Sequence, residues 1–385
     1  MILSNQDQNY QQCSISVMDN IADENISFDE KGICNYYYEY ITKEKDNVIK
    51  GEEGERKLQK LLTEIKERGK GKKYDCILGV SGGVDSTYLS FKVKEWGLRP
   101  LLVHFDNGWN SELAVMNIQN IVDRTGFDLY TYVVDWNEYK DIQKSFFKAN
   151  VIDIEAIQDV AFVNTLQIIN SKYNIGYVID GQNVVTEGLL PSSWIFKNID
   201  NLKNIHSKFG TKKLKTFPMI SPWKQYYFDN IKKLKYVSPL NFTDYNKKEV
   251  KELLINEYGW RDYGGKHYES VFTRFYQGYI LPKKFKVDKR KAHLSNLIFS
   301  GQLTKNEAIE ELKAPIYNQQ QLDIDMPFVL KKMEFTEAEF SNYINSPSIP
   351  HVYYGTFRPF FDKYKFLKPF RPISKILKKI THANG

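Results

Sequence analysis

A chain of 385 residues can hold one large core or two to three domains of about 100–200 residues each, so a deep catalytic site is within its reach. With 42% hydrophobic and 26% charged residues and no unbroken apolar run of about 20 residues, nothing in it is expected to span a bilayer. The net charge of +7 favours an anionic partner without distinguishing a nucleic acid from a small molecule.

Residues 1–70 read as a leader region. Its polar start, Met1 to Tyr10, lacks the basic end and apolar stretch of a signal peptide, and the three cysteines, Cys13, Cys34 and Cys76, are too few for a disulfide framework. Both features point to the reducing cytoplasm. A helix is expected from Gly51 to Arg68, closed by the basic, glycine-bearing stretch Gly69 to Lys73.

From residue 71 to 235 the pattern becomes strand, glycine turn, helix. Strands are expected at Asp75 to Val80, Pro100 to Phe105, Leu129 to Val134 and Tyr177 to Asp180, and helices at Ser86 to Trp96, Ser111 to Arg124 and Ile154 to Lys172. This alternation predicts an α/β fold, a doubly wound parallel sheet covered on both faces, with ligands at the carboxyl ends of its strands. After Pro222 it fades into helix-like segments, so a mainly helical part is expected over 236–312. The C-terminal extension, 313–385, ends in a basic stretch from Lys363 to Lys379 broken by Pro369 and Pro372. It reads as a solvated terminus, with a membrane-surface or partner-binding tail as the other reading.

The chemistry is most legible at Ser81-Gly82-Gly83-Val84-Asp85-Ser86-Thr87, between a buried strand and a helix. Backbone N–H groups and the positive end of a helix dipole converge there on an anion. The loop lacks the Gly-Lys-Ser/Thr ending of a Walker A motif, which disfavours kinase-type transfer. Asp85 takes the place of that lysine, and a carboxylate beside phosphates implies a bridging Mg²⁺. The alternative is a tight strand-to-helix turn with Asp85 as an N-terminal cap and no ligand.

The loop resembles the pyrophosphate loop of the ATP-pyrophosphatase (PP-loop, HUP-like) superfamily, which includes asparagine, GMP and NAD synthetases and several tRNA-modifying enzymes. That resemblance implies ATP bound by Ser81 to Thr87, with His104, Asp106 and Asn107 at the adenosine half and Gly181 and Gln182 at the fourth strand end. A surface turn is the other reading of Asp106 and Asn107. A second acid could share Mg²⁺ with Asp85, Glu187 in preference to Asp180, although each could equally cap a helix.

Enzymes of this chemistry adenylate a carbonyl oxygen and let a nucleophile displace AMP. Cys76 lies inside the first predicted strand, where inert burial disfavours sulfur transfer. A built-in glutaminase is also disfavoured, because position 2 is Ile2 and Cys13 and Cys34 sit in a polar leader. Ammonia is therefore expected from a separate glutaminase subunit. The acceptor is read from Lys266, His267, Glu269, Ser270, Arg274, Lys289, Arg290 and His293, where cations, hydroxyls and rings recur at helical spacing. They suit an anionic sugar nucleotide, and a solvated basic helix is the alternative.

Taken together, Ile26 to Cys34, the phosphate loop, Asp106 to Leu113, Gly181-Gln182-Asn183 and Lys266 to His293 resemble the N-acetyl sugar amidotransferase family (WbpG/PseA-like). The resemblance runs from about Cys13 to Leu312. It implies that ATP activates the acetamido oxygen of a nucleotide-linked sugar and that ammonia displaces AMP to leave an acetamidino group, in O-antigen or nonulosonic acid biosynthesis. In the mechanism expected for it, Asp85 acts with Mg²⁺ at the phosphates, Lys266 or Arg274 neutralises charge near the substrate, Asn183 contacts the substrate, and His267 and His293 are candidates for handling the proton lost from ammonia, a structural histidine being the equal alternative for either. One departure stands out: relatives usually begin with two Cys-x-x-Cys pairs, whereas this chain has Cys13-Ser14-Ile15-Ser16 and Cys34-Asn35-Tyr36-Tyr37. Two thiolates cannot close a zinc site alone, so no zinc is expected; the leader is expected either to be held by packing of Phe28 and Tyr36 to Tyr38 or to rest on a partner subunit. The aromatics are spread along the chain and form no stacking platform, so no nucleic acid is expected as partner, and without a long apolar run no membrane is expected either. A tRNA-modifying PP-loop enzyme, favoured by the positive charge, and a non-catalytic nucleotide-binding scaffold remain as alternatives.

Overall fold

The structure, a computed structural model, describes residues 10–228, 234–265 and 268–355. Two helices, α1 (Asn35–Asn47) and α2 (Gly51–Gly69), precede the sheet, which then alternates with helices: β1 (Cys76–Gly79), α3 (Val84–Glu95), β2 (Pro100–Asp106), α4 (Glu112–Thr125), β3 (Leu129–Val133). Next come α5 (Trp136–Ala149), α6 (Ala156–Tyr173), β4 (Tyr177–Ile179), the single turn α7 (Val184–Glu187), α8 (Ile199–Phe209), α9 (Pro222–Tyr227) and β5 (Lys235–Val237). The remainder is helical: α10 (Lys247–Tyr258), α11 (Val271–Phe275) continuing into a π-helical stretch (Tyr276–Phe285), α12 (Lys289–Phe299), α13 (Lys305–Lys313), α14 (Gln319–Met333) and α15 (Glu337–Asn345). Among the described residues no helix is long and apolar enough to cross a membrane.

All pairings in the sheet are parallel and the strand order is β3-β2-β1-β4-β5. The expected doubly wound sheet is present, with β5 as a fifth strand. Alternate side chains point to opposite faces. Cys76, Leu78, Leu102, Tyr177 and Ile179 pack with Leu58, Leu62 and Ile65 of α2 and with helices α3 and α10, while Ile77, Leu101, Val103 and Val178 pack on Leu166 and Ile169 of α6. Each such aliphatic side chain, fully buried, contributes roughly 1.5–3 kcal/mol. The chain runs outward from β1 through β2 to β3, then α6 returns it across the sheet to β4 on the other side of β1. The carboxyl ends of β1 and β4 therefore flank the topological switch point, where open α/β sheets bind ligands.

The leader is part of the largest core: Cys13, Met18, Ala22, Ile26, Cys34 and Tyr36 are buried with residues of α5, α6, α8, α14 and α15. Cys34 N donates to Cys13 Sγ at 3.3 Å, and the Tyr36 hydroxyl donates to Asp23. Phe28 packs partly buried against this core, while Tyr38, 49% exposed, packs edge-on against Tyr37 and donates to Asp29 at 2.6 Å. The leader is also tied to the helical part, with Val17 N donating to Ser295 Oγ at 3.2 Å and Lys305 Nζ to the Cys13 carbonyl at 2.7 Å. In the C-terminal extension, α14 and α15 place Val329, Leu330, Met333, Phe340 and Tyr343 in the same core. The basic stretch Lys363 to Lys379 lies outside the described residues.

Asp153, at the entry to α6, is buried and accepts from Phe196 N at 2.6 Å and Ala156 N at 3.0 Å. Burial pushes its carboxyl up to about 7 against the lowering effect of the Phe196 hydrogen bond. A carboxyl whose pKa is higher folded than unfolded binds its proton more tightly in the native state, so its contribution to stability falls as pH rises between the two values. Comparing unfolding midpoints of the parent chain and Asp153→Asn from pH 4 to 8 should show the parent losing stability relative to the variant until about pH 7 and levelling above it. Parallel curves would show that Asp153 titrates normally.

Candidate active site

Gly82 carries the backbone angle that closes the loop after β1: its φ is +79°, and a Cβ there would meet the Ala114 carbonyl oxygen at 2.6 Å. The Gly82 carbonyl accepts from Trp260 Nε1 at 2.9 Å and Asn117 Nδ2 at 3.3 Å. In a trans peptide the following N–H points the opposite way, and Gly83 N donates into the turn, to Ser81 Oγ at 3.3 Å. Ser86 Oγ lies 3.4 Å from Ser81 Oγ and donates to the Gly83 carbonyl at 3.3 Å. Helix α3 starts from Gly83 with no side-chain cap, so the amides of its first turn are left for an anion. Val84 is buried beneath the turn, and the Thr87 hydroxyl is buried without a hydrogen-bond partner.

Asp85 is not the cap that the ligand-free reading required. It lies inside the first turn of α3, and its carboxylate accepts from the Tyr245 hydroxyl and from Lys247 Nζ at 3.3 Å. Burial raises the Tyr245 phenol well above its ordinary pKa, with the charges of Asp85 and Glu187 adding to the effect. Neither Tyr245 nor Lys247 was singled out in the sequence. Lys247 is the first residue of α10, whose cap is Asn246, and a cation there opposes the helix dipole. That misplacement was the available signal.

At the end of β4, Gly181 backs directly onto the loop, since a Cβ on it would lie 3.0 Å from the Asp85 carbonyl carbon and 3.1 Å from Ser86 N. Gln182 is exposed beside it, and Asn183 is buried as the cap of α7, accepting from Thr186 N at 2.9 Å. Asp180 accepts from Ser238 Oγ at 2.7 Å and Gln182 N at 3.2 Å, and burial raises its pKa, as does the charge of Glu187. The field of Glu187 thus reaches both Asp180 and Tyr245. No three His, Cys, Asp or Glu among the described residues are grouped closely enough to hold a metal by themselves. Mg²⁺ typically needs only one or two carboxylates besides substrate phosphates, and the Asp85 carboxylate fits that requirement, with the Lys247 ammonium beside it as a cation that a metal would have to share or displace.

The end of β2 is more self-contained than expected. His104 lies with Nδ1 3.1 Å from the Val80 carbonyl and Nε2 2.9 Å from Asn110 Nδ2, and burial lowers its pKa, which favours the neutral ring. Asp106 accepts from Gly108 N at 2.8 Å and Asn110 Nδ2 at 3.0 Å. The Asn107 amide, expected at ATP, points inward to Gln158 Oε1 at 2.6 Å and Tyr139 at 3.4 Å, so its side chain braces the turn. Above the phosphate loop, the Tyr263 hydroxyl stands 3.3 Å from where a Gly83 Cβ would be. Burial raises its pKa, followed by the charge of Glu269, to which it is hydrogen-bonded. Glu269 and Ser270 are joined to the β2 turn by Ser111 N donating to the Glu269 carbonyl at 2.8 Å and by a bridge between Asn110 and Ser270.

The cations expected around the substrate are largely engaged within the protein. Arg274 forms a fork on Asp325, with distances of 2.6 and 2.9 Å, and its guanidinium lies 5.6 Å from the Tyr268 ring centre, so its charge is already balanced. Arg290 pairs with Asp288 at 2.9 Å and donates to the Ala314 carbonyl at 2.9 Å. Lys289 lies 3.8 Å from Glu155, and His293 is partly buried on α12. Ser270 caps α11, accepting from Thr273 N at 3.2 Å. Lys266 and His267 lie outside the described residues.

Residues 269–368 match the family model described as LPS biosynthesis protein WbpG-like, C-terminal domain. An uncharacterised protein of Methanocaldococcus jannaschii is 23% identical over 313 residues, covering 79% of this chain and 93% of that protein. The glutamine-hydrolysing GMP synthase of Pyrobaculum aerophilum is 25% identical over 190 residues, 47% of this chain and 34% of the synthase, so the match spans about a third of that relative. Among solved structures, NMN synthetase from Francisella tularensis aligns with a TM-score of 0.38 and 15% identity, over 74% of this chain and 96% of that one.

Proposed function

We propose that this chain, whose residues 269–368 match the WbpG-like C-terminal domain and whose first β–α junction resembles a PP-loop, is an ATP-dependent amidotransferase acting on a nucleotide-linked N-acetyl sugar. The observation that carries the reading is the joining of these two parts, the WbpG-like segment at Glu269 and Ser270 being bonded to the turn after β2 beside the phosphate loop.

In this reading the acetamido oxygen attacks the α-phosphorus of ATP, pyrophosphate departs from the loop, and ammonia displaces AMP to give an acetamidino group. Mg²⁺, when bound, would neutralise pyrophosphate charge, with Asp85 and Glu187 as its protein carboxylates. The chain itself supplies the amides at the start of α3, the hydroxyls of Ser81 and Ser86, and Lys247, whose ammonium sits beside Asp85. An amide oxygen is a weak nucleophile, so positioning and preorganised charge must provide most of the rate. All three cysteines are buried, which supports ammonia from a separate glutaminase over an internal one. The product belongs to O-antigen or nonulosonic acid biosynthesis.

Incubation with ATP, an ammonium salt and UDP- or CMP-linked acetamido sugars should release AMP and convert the sugar to a species lighter by the difference between O and NH. AMP release that responds to RNA and not to any such sugar would replace this reading with a tRNA-modifying one.

A further inference from the structure

Lys332, on α14, reaches into the turn that follows β2. Its ammonium donates to the Gly108 carbonyl and lies 4.7 Å from the ring centre of Trp109, 4.8 Å from Trp136 and 5.5 Å from Phe328. Burial lowers its pKa against the raising effect of Asp106, as expected of a cation drawn out of water among rings. Gly108 has φ +80°, and a Cβ on it would meet Trp136 Cε3 at 3.2 Å and Lys332 Nζ at 3.8 Å, so the turn is closed tightly against this cage. Asp106 grips the same turn from within, through Gly108 N and Asn110 Nδ2. Val271 N donates to the Trp109 carbonyl at 2.8 Å, a second tie from the WbpG-like segment. An ordinary surface lysine would keep its head in water; this one is held at the turn by a hydrogen bond and three aromatic rings.

We propose that Lys332 is a positioning residue that sets the Asp106–Ser111 turn for the nucleoside half of ATP, so that the WbpG-like part of the chain completes the nucleotide site. The inference rests on the ATP reading above and adds to it a division of labour. Pyrophosphate is held at the β1 loop without this turn, whereas ATP also depends on the turn, which α14 fixes from 224 residues away.

The test is calorimetric titration of the full chain with Mg²⁺·ATP and, separately, with Mg²⁺·pyrophosphate. Lys332→Met, which keeps the bulk but removes the charge, should weaken ATP binding by about tenfold, a factor well resolved by titration, and leave pyrophosphate binding unchanged. Lys332→Arg should restore ATP affinity. Gly108→Ala, which presses the turn against Trp136, should show the same split and serves if the methionine variant unfolds. Unaltered ATP affinity in the variants, or equal loss of both ligands, overturns the inference while leaving the ATP reading intact. A parent chain that takes up neither ligand overturns both.

Discussion

Replacing Asp85 by asparagine is expected to lower AMP release from ATP by about 10²–10³-fold, the range seen when one preorganised electrostatic partner is removed from a reacting phosphate or oxyanion. The Asp85 carboxylate stands inside the first turn of α3, between Lys247 and the Tyr245 hydroxyl, at the mouth of the phosphate loop. Asparagine keeps the shape and one acceptor oxygen but loses the charge that would hold a divalent cation against the phosphates. The change should also cost some stability, because the pair with Lys247 is mostly buried, at 17% and 18% exposure, and neutralising one partner leaves the other charge less well compensated. Single-turnover AMP formation together with thermal unfolding separates the two effects. A variant that forms AMP at the parent rate would remove Asp85 from the mechanism.

Gly82→Ala is expected to weaken binding of both ATP and pyrophosphate by about 100-fold, or roughly 2.7 kcal/mol. A left-handed alanine costs about 1–2 kcal/mol by itself. Here the added Cβ would also lie 2.6 Å from the Ala114 carbonyl oxygen, a backbone atom of α4 that cannot swing aside. The turn cannot relax the other way without breaking the bonds from Trp260 and Asn117 to the Gly82 carbonyl. Gly126→Ala is the control, since that glycine has a similar φ of +71° with nothing within 4 Å of its Cβ position. It should lose some stability and no affinity. Equal ligand affinity for Gly82→Ala and the parent would mean that the turn does not cradle an anion.

The elements that sequence left illegible share a physical cause. Helix α5 keeps apolar residues at helical spacing, Tyr139, Ile142, Phe146 and Phe147, but it also buries Glu138, Lys140, Asp141 and Gln143, polar residues that a sequence reading assigns to a solvated face. Each serves a remote partner: Glu138 accepts from Lys215, Thr216 and Phe217 N, Asp141 from Thr211 and Lys212 N, Gln143 accepts from Trp109 Nε1, and Lys140 pairs with Glu334. β5 escaped notice because it has three residues on the edge of the sheet, two of them exposed. Arg274 looked like a substrate ligand because its partner, Asp325, lies 51 residues away in a stretch with no readable pattern.

What sequence alone determined is local in the chain: the parallel α/β alternation, and a phosphate loop whose glycines, hydroxyls and acid are consecutive, so that backbone geometry brings them together wherever the strand and helix form. Tertiary structure decided which charges are already balanced, and it set Lys247 and Tyr245 against Asp85, Asn107 inward, and Lys332 over the β2 turn. These choices depend on contacts between segments far apart in the chain, and electrostatic pairing across such distances leaves no periodicity to read.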